Sequence, residues 1–290
     1  MIDFTSLEKY DICDCHHHIY NPKEFPYPDT NTTQPASTAE DYMKIKKDLH
    51  IKRSVIVQPS CYGTDNSCSL DALEKLDSSV TRAIVVIDDD ITMDELKRMD
   101  SLGVKGVRFN IAPGTENHVN SIKIQAGKIA DLDWSMHFWM SADYTYEIRN
   151  VLQELPCQLV FDHRGHLPAH SDIISSQSTT NLSPAGINHP AFDFICEMMA
   201  KEKAWVKISG LYLDSICDDY KDTLKIGKEY VKINSDRVLW GTDWPHPVLH
   251  INNQPMPDEL DLLKMIDQEI SAKDDLQKIL VENPAKLFHF

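Results

Sequence analysis

Short apolar runs alternate with amphipathic stretches along the whole chain. The runs begin near Asp11-Ile12-Cys13 and recur at Ser54–Val57, Ala83–Ile87, Val104–Phe109, Met136–Met140, Leu159–Phe161, Trp205–Ile208 and Val238–Trp240. Several are apolar on both faces, as a parallel strand covered by helices must be. Between them, apolar residues fall at helical spacing. Ser37-Thr38-Ala39-Glu40 reads as a capping box ahead of Tyr42, Ile45 and Leu49, and Thr92-Met93-Asp94-Glu95 reads as another. Leu70, Leu73 and Leu76 share one face, and His189-Pro190 places a proline at a first helical position before Phe192, Ile195 and Met199. Strands alternating with helices predict a parallel sheet. About eight strands in 290 residues fit one α/β domain over 1–290, a (β/α)8 barrel, although an open sheet would show the same pattern.

Three stretches read as long loops: Asn21–Pro35, Pro59–Asp65 and Gly165–Ile187, the last containing Ser175-Ser176-Gln177-Ser178-Thr179-Thr180-Asn181. Each follows a predicted strand, so each is expected at the C-terminal mouth of the barrel, as a lid or binding loop.

Composition narrows the class. The formal charge of −16 repels nucleic acid and anionic membrane, so neither is an expected partner. An anionic ligand would then need a pocket built from particular arginines. Seven cysteines without a C-x-x-C pair read as reduced thiols of a cytoplasmic protein. The N-terminal stretch has no apolar signal core, and no run approaches the length of a membrane helix. The glycosylation patterns at Asn31 and Asn181 therefore read as chance matches.

Four segments carry candidate chemistry. In Asp14-Cys15-His16-His17-His18, residues two apart share a strand face, so His16 and His18 point into the mouth and His17 points outward. Two such imidazoles can bind a metal or polarise a carbonyl, and a fortuitous polar strand end is the weaker reading. His163 ends the run Leu159-Val160-Phe161-Asp162-His163-Arg164-Gly165-His166, where a locally satisfied histidine is an equal alternative. Asp243, in Gly241-Thr242-Asp243-Trp244-Pro245-His246, is either a general base among histidines or a helix N-cap ahead of Pro245. Arg108 ends the fourth strand and could fork onto a carboxylate or form a surface ion pair. Together these segments fall at the carboxyl ends of strands 1, 4, 6 and 8, on one face of one barrel.

With the strand-1 His-x-His, the strand-6 histidine and the closing Trp240-Gly241-Thr242-Asp243-Trp244-Pro245-His246, the chain resembles the amidohydrolase superfamily, from Asp14 to Glu282-Asn283-Pro284-Ala285-Lys286-Leu287-Phe288. The branch it resembles contains 2-pyrone-4,6-dicarboxylate lactonase, sugar lactonases and D-galactarolactone isomerase. The resemblance implies Asp243 as general base, His16, His18, His163 and His246 around the site, and Ser60, Tyr62 and Arg108 as substrate contacts. Arg164, His166 and Tyr212 complete the expected binding set. The dicarboxylate lactonase grips its substrate with several arginines. Here His166, Gly210-Leu211-Tyr212 and Ile111-Ala112-Pro113-Gly114 stand where that pattern has arginine. These departures imply a small, singly charged sugar-acid lactone, opened by hydrolysis or rearranged by an isomerase on the same residues. The strand-4 lysine of binuclear members is replaced by Arg108, and the resembled branch implies no cofactor and no divalent metal. A pyrone-dicarboxylate lactonase, a metal-dependent amidohydrolase or decarboxylase, and a non-catalytic sugar-acid binder remain as alternatives; oligomeric state is open.

Overall fold

In the computed structural model, which describes residues 4–29, 33–112, 114, 115, 117–168, 186–270 and 272–290, eight parallel strands lie side by side in sequence order. They are β1 (Cys13–His17), β2 (Arg53–Val57), β3 (Thr81–Val85), β4 (Val104–Asn110), β5 (Ser135–Trp139), β6 (Leu159–Phe161), β7 (Ala204–Lys207) and β8 (Val238–Leu239). The covering helices are α1 (Ala39–Asp48), α2 (Ser67–Lys75), α3 (Met93–Leu102), α4 (Val119–Ile129), α5 (Ala142–Glu147), α6 (Arg149–Leu152), α7 (Pro190–Ala200), α8 (Lys221–Asn234), α9 (Pro247–Ile251), α10 (Glu259–Glu269), α11 (Lys273–Gln277) and α12 (Asn283–Phe288). No helix among the described residues is long and apolar enough to cross a membrane. All seven cysteines are free thiols.

The sheet closes where β8 meets β1. Cys15 N donates to Trp240 O at 2.9 Å, Asp243 N to His16 O at 2.8 Å, and His18 N to Trp244 O at 2.8 Å. A side chain at Gly241 would stand 2.7 Å from both Cβ and N of His16, so only glycine lets the two strands approach this closely. The buried Asp14 carboxylate locks the seam, accepting from Thr242 N (3.0 Å), Thr242 Oγ1 (2.7 Å) and Tyr42 of α1 (2.8 Å). The open-sheet alternative is therefore set aside.

Helix starts follow their caps. Thr92 accepts from Glu95 N, and His189 caps α7 with Pro190 at its first turn, both as expected. The first capping box lies one residue later than the sequence reading: Thr38 caps α1 with Asp41 as its partner. Ser37 is unavailable because its backbone is paired with Tyr20. β3 ends at Val85, two residues before its apolar run does, because Asn66 Oδ1 accepts from Val86 N. The Pro59–Asp65 loop contains a 3-10 turn over Ser60–Tyr62. Most of the Gly165–Ile187 loop, including Ser175–Asn181, and the acceptor patterns at Asn31 and Asn181 fall outside the described residues.

Inside the barrel, the N-terminal end is closed by a small apolar cluster. Leu287 and Phe288 of α12 pack among Cys13, Val55, Ile84, Val160, Trp205 and Leu239. Arg82 clamps this plug, donating from Nε to Phe288 O (3.1 Å) and from Nη2 to His289 O (2.8 Å). The charged groups of the interior lie at the other end.

Candidate active site

β1 delivers its histidines through a break in its own alternation. Cys13 and Cys15 both belong to the inner cluster, and the pairing with β2 shifts register between Asp14 and His17. Such a bulge re-aims the side chains that follow it. His16 and His18 then both face the mouth, as expected, and His17 faces away. His17 is nonetheless fully buried, stacked on Tyr42 with 3.6 Å between ring centroids.

Three imidazoles converge on Asp243 Oδ1: His16 Nε2 at 3.5 Å, His18 Nε2 at 3.5 Å and His163 Nε2 at 3.8 Å. Asp243 follows β8 in a left-handed turn (φ 62°) and caps no helix; His246 stands at the N-cap of α9. The N-cap reading of Asp243 is thereby excluded. Burial alone would push the Asp243 carboxyl up, but the surrounding histidines outweigh it and hold the group well below the usual carboxylate range. Burial also pulls His16 well below the usual imidazole value and His163 down to about 4. The Asp243 carboxylate is therefore ringed by imidazoles, two of which, His16 and His163, burial holds toward the neutral form.

Each imidazole is oriented from behind. His18 Nδ1 faces Val57 O at 2.7 Å, so in the neutral ring Nδ1 carries the proton and Nε2 offers a lone pair. His16 has the opposite arrangement. Its Nδ1 lies 3.1 Å from Nζ of Lys207, an ammonium with donors only, and 3.3 Å from Asp162 Oδ1; the shorter contact, to the ammonium, places the ring proton on Nε2. His163 Nδ1 contacts Ser209 Oγ at 3.0 Å.

Beneath His16 lies a charge network that the sequence did not point to. Asp162 contacts Lys207 Nζ (3.0 Å), Arg108 Nε (3.2 Å) and His16 Nδ1 (3.3 Å), with neither Lys207 nor Asp162 exposed. Burial would raise the Asp162 carboxyl, but Lys207, His16 and Arg108 outweigh it and leave it well below its ordinary range. Burial lowers Lys207, and Asp162 opposes that shift.

A cavity of about 640 Å³ opens above this floor, large enough for a small ligand. His18, His163, Asp243, Arg108 and Ser60 all line it, as expected, joined by Tyr20, Asn110 and Trp139. Arg108 donates Nε to Asp162 and Nη1 to Gln58 O (3.4 Å); no described group takes a hydrogen bond from Nη2.

Five expected site residues are placed elsewhere. Arg164 turns away in a left-handed conformation (φ 57°), donating to Glu269 from Nε (3.0 Å) and Nη2 (2.6 Å) and to the carbonyls of Ser209 and Ile208. Gly227 of α8 makes room for this pair, since a Cβ there would overlap Glu269 Oε1. Tyr62 is buried against Tyr27, and its hydroxyl accepts from Asn21 N. Tyr212 does not line the cavity; its hydroxyl donates to Asp243 Oδ2 at 2.5 Å. His246 lies behind Tyr212, with Nδ1 3.1 Å from that hydroxyl and Nε2 2.8 Å from Glu259 Oε1. His166 borders an adjoining chamber with Trp139 and pairs with Asp214 at 3.2 Å.

The donor atoms of His16, His18 and Asp243 lie within 4.8 Å of one another, as do those of His16, Asp162 and His163. These sets fit a divalent cation in chemistry and spacing; such an ion would polarise a carbonyl or a water. His16 Nε2 could ligate only if Nδ1 gave up the Lys207 ammonium and donated to Asp162 instead.

A model described as amidohydrolase matches residues 13–290. The chain is 30% identical over 281 residues to 4-sulfomuconolactone hydrolase of Hydrogenophaga intermedia, covering 95% of this chain and 88% of that one. It is 22% identical over 250 residues to D-galactarolactone isomerase of Agrobacterium fabrum, covering 86% and 80%. Among solved structures, a probable 2-pyrone-4,6-dicarboxylic acid hydrolase from Acinetobacter baumannii superposes with a TM-score of 0.80 at 22% identity, over 97% of this chain and all of that one.

Proposed function

The chain belongs to the amidohydrolase family, and we propose that it hydrolyses the ring ester of a small, singly charged, hydroxylated lactone. The observation that carries this reading is the convergence of three imidazole Nε2 atoms on the ionised Asp243 carboxylate at the floor of a closed-bottomed cavity. The named activities of the relatives supply the substrate class: one is a lactone hydrolase and one acts on a sugar-acid lactone.

The chemistry follows from the protons already assigned. His18 Nε2 and Asp243 Oδ1 both face the cavity as acceptors and can take the two protons of one water. Asp243 accepts a proton as that water attacks the lactone carbonyl. The Nε2–H of His16 lies beneath the cavity floor, 3.5 Å from Asp243 Oδ1, and stabilises the developing oxyanion as the substrate carbonyl reaches that floor. When the ring C–O bond breaks, Asp243 returns the proton to the leaving oxygen. Arg108, held by Asp162 and Gln58, presents its Nη2 edge to the substrate carboxylate.

Counting cations supports a singly charged substrate. Of the two arginines expected at the mouth, Arg164 is committed to Glu269, which leaves Arg108. A second buried carboxylate would lack a partner at considerable cost. Ser60, Asn110 and Tyr20 offer partners for hydroxyl groups. The test compares kcat/KM for D-galactarolactone and 2-pyrone-4,6-dicarboxylate under one set of conditions, with the product identified by NMR. A higher value for the dicarboxylate overturns the cation count, and an isomerised lactone as product replaces hydrolysis by isomerisation. Because Lys207 sets the proton of His16 on Nε2, activity should survive exhaustive chelation. Loss of activity on chelation with recovery on Zn²⁺ or Mn²⁺ would reverse that expectation.

A further inference from the structure

Behind Asp243 runs a buried chain of hydrogen bonds to α10, and its far end has no role in the reading above. Asp243 Oδ2 accepts from the Tyr212 hydroxyl at 2.5 Å, that hydroxyl lies 3.1 Å from His246 Nδ1, and His246 Nε2 lies 2.8 Å from Glu259 Oε1. Tyr212 and His246 are buried, and the Glu259 side chain is 15% exposed. The protons can be counted. Tyr212 has one hydroxyl proton, and it points at Asp243. Its oxygen can then only accept from His246, so Nδ1 of His246 carries a proton. The imidazole is held in that orientation by the carboxylate on its other nitrogen. Nε2 meets a carboxylate oxygen that can only accept, so a second ring proton lies there: the Tyr212 hydroxyl and Nδ1–H point toward Asp243, Nε2–H points away to Glu259, and both ring nitrogens of His246 are occupied. His246 is thus unable to polarise a lactone carbonyl.

We infer that Glu259 is a positioning residue for the base, acting through His246 and Tyr212 to saturate Asp243 Oδ2 and leave Oδ1 as the oxygen that takes the proton of water. Among the described residues Asp243 Oδ1 has no hydrogen-bond partner of its own, and it faces His16 and His18, as that role requires. The chain exports no proton. The proton taken from water returns to the leaving ring oxygen, and the net acidity released comes from the new carboxylic acid, which ionises in solvent. The inference rests on Asp243 being the base.

A double-mutant cycle over Glu259→Ala and Tyr212→Phe tests it, with D-galactarolactone as substrate. Each single change is expected to lower kcat about tenfold, the equivalent of one hydrogen bond, with KM within about twofold. The double variant should be no slower than Tyr212→Phe alone, because both changes cut one chain. Added formate should restore part of the rate to Glu259→Ala. Additive losses, or a change carried by KM, overturn the inference. An activity-independent readout is the low-field proton resonance of the Tyr212–Asp243 bond, identified by its loss in Tyr212→Phe. It should move upfield in Glu259→Gln, which also serves if the alanine variant does not fold; an unmoved resonance refutes the coupling. Full activity in Asp243→Asn, by contrast, would remove the base reading itself and the inference with it.

Discussion

At the N-terminal end of the barrel, Leu287 and Phe288 fill the space between Cys13, Val55, Ile84, Val160 and Trp205, an entirely uncharged packing. At the C-terminal end of the same strands, Asp162, Lys207, Arg108, His16 and Asp243 are equally buried. The apolar end gains free energy from every methylene removed from water, about 0.8 kcal/mol each. The charged end gains little net stability, because desolvation offsets most of the ionic attraction. It also contains left-handed backbone at His163, Arg164, His166, Asp243 and His246, none of them glycine. Each such residue costs about 1 kcal/mol, and clusters of this kind accumulate where geometry serves a reaction. The difference teaches that stability and chemistry are housed at opposite ends, so substitutions should separate them.

The largest separation is expected at Asp243. Asn keeps the shape and tolerates a left-handed backbone, but it cannot take a proton. Asp243→Asn should lower kcat about 10²–10⁴-fold while leaving the unfolding midpoint unchanged or raised. Turnover within threefold of wild type would remove Asp243 from the mechanism. The mirror-image change is Phe288→Ala. It should cost about 3–5 kcal/mol in denaturant unfolding and leave kcat of the folded fraction intact. A comparable loss of kcat would show that the two ends are coupled.

How much of this was legible in the sequence follows the same division. The strand runs and the convergence of His16, His18, His163, Arg108 and Asp243 could be read because strand periodicity and strand ends carry positional information. His16 and His18 keep their shared face because both lie beyond the bulge, although nothing in Asp14-Cys15-His16 announces it. Lys207 was missed because a lysine ending the apolar run Ala204-Trp205-Val206 reads as reaching solvent; its partner Asp162 is adjacent only across the barrel. Glu259 gave no signal, being one acid among many on a helix outside the barrel wall. Arg164 was misplaced because a left-handed turn, invisible in its neighbours, rotates it toward α10.

Lys207 lies between the two extremes, so it sharpens the comparison. Lys207→Met removes an ammonium and leaves Asp162 and the His16 Nδ1 position short of a donor. Breaking a buried pair on one side costs about 3 kcal/mol or more. Here stability and kcat should fall together, and ¹⁵N NMR should show His16 losing its fixed Nε2 proton. A variant that loses stability and keeps both the tautomer and kcat would reduce Lys207 to a strut.

The smallest effect concerns two buried arginine–carboxylate pairs beside the mouth, and here the sign of a pH dependence decides. Asp162 has four cationic or imidazole partners, Lys207, Arg108, His16 and His137, and is held well below its ordinary value. Its contribution is present above the unfolded carboxyl value and is lost only in strong acid. Among the described residues Glu269 has Arg164 alone, and its Oε2 has no hydrogen-bond partner. Burial outweighs that single arginine and pushes the carboxyl up from 4.5 to about 7. A raised acid binds its proton more tightly when folded, so stability is fully present below the unfolded value of 4.5 and is lost as pH rises through about 7. Glu269→Gln cannot titrate. It resembles the protonated acid, so it should be close to wild type in stability at pH 4.5 and gain on it by up to about 3 kcal/mol by pH 8. Urea unfolding of both proteins across that range measures the difference directly. A difference between the two proteins that stays constant with pH would mean that the Arg164–Glu269 pair is fully ionised throughout and that the two arginines differ only in where they point.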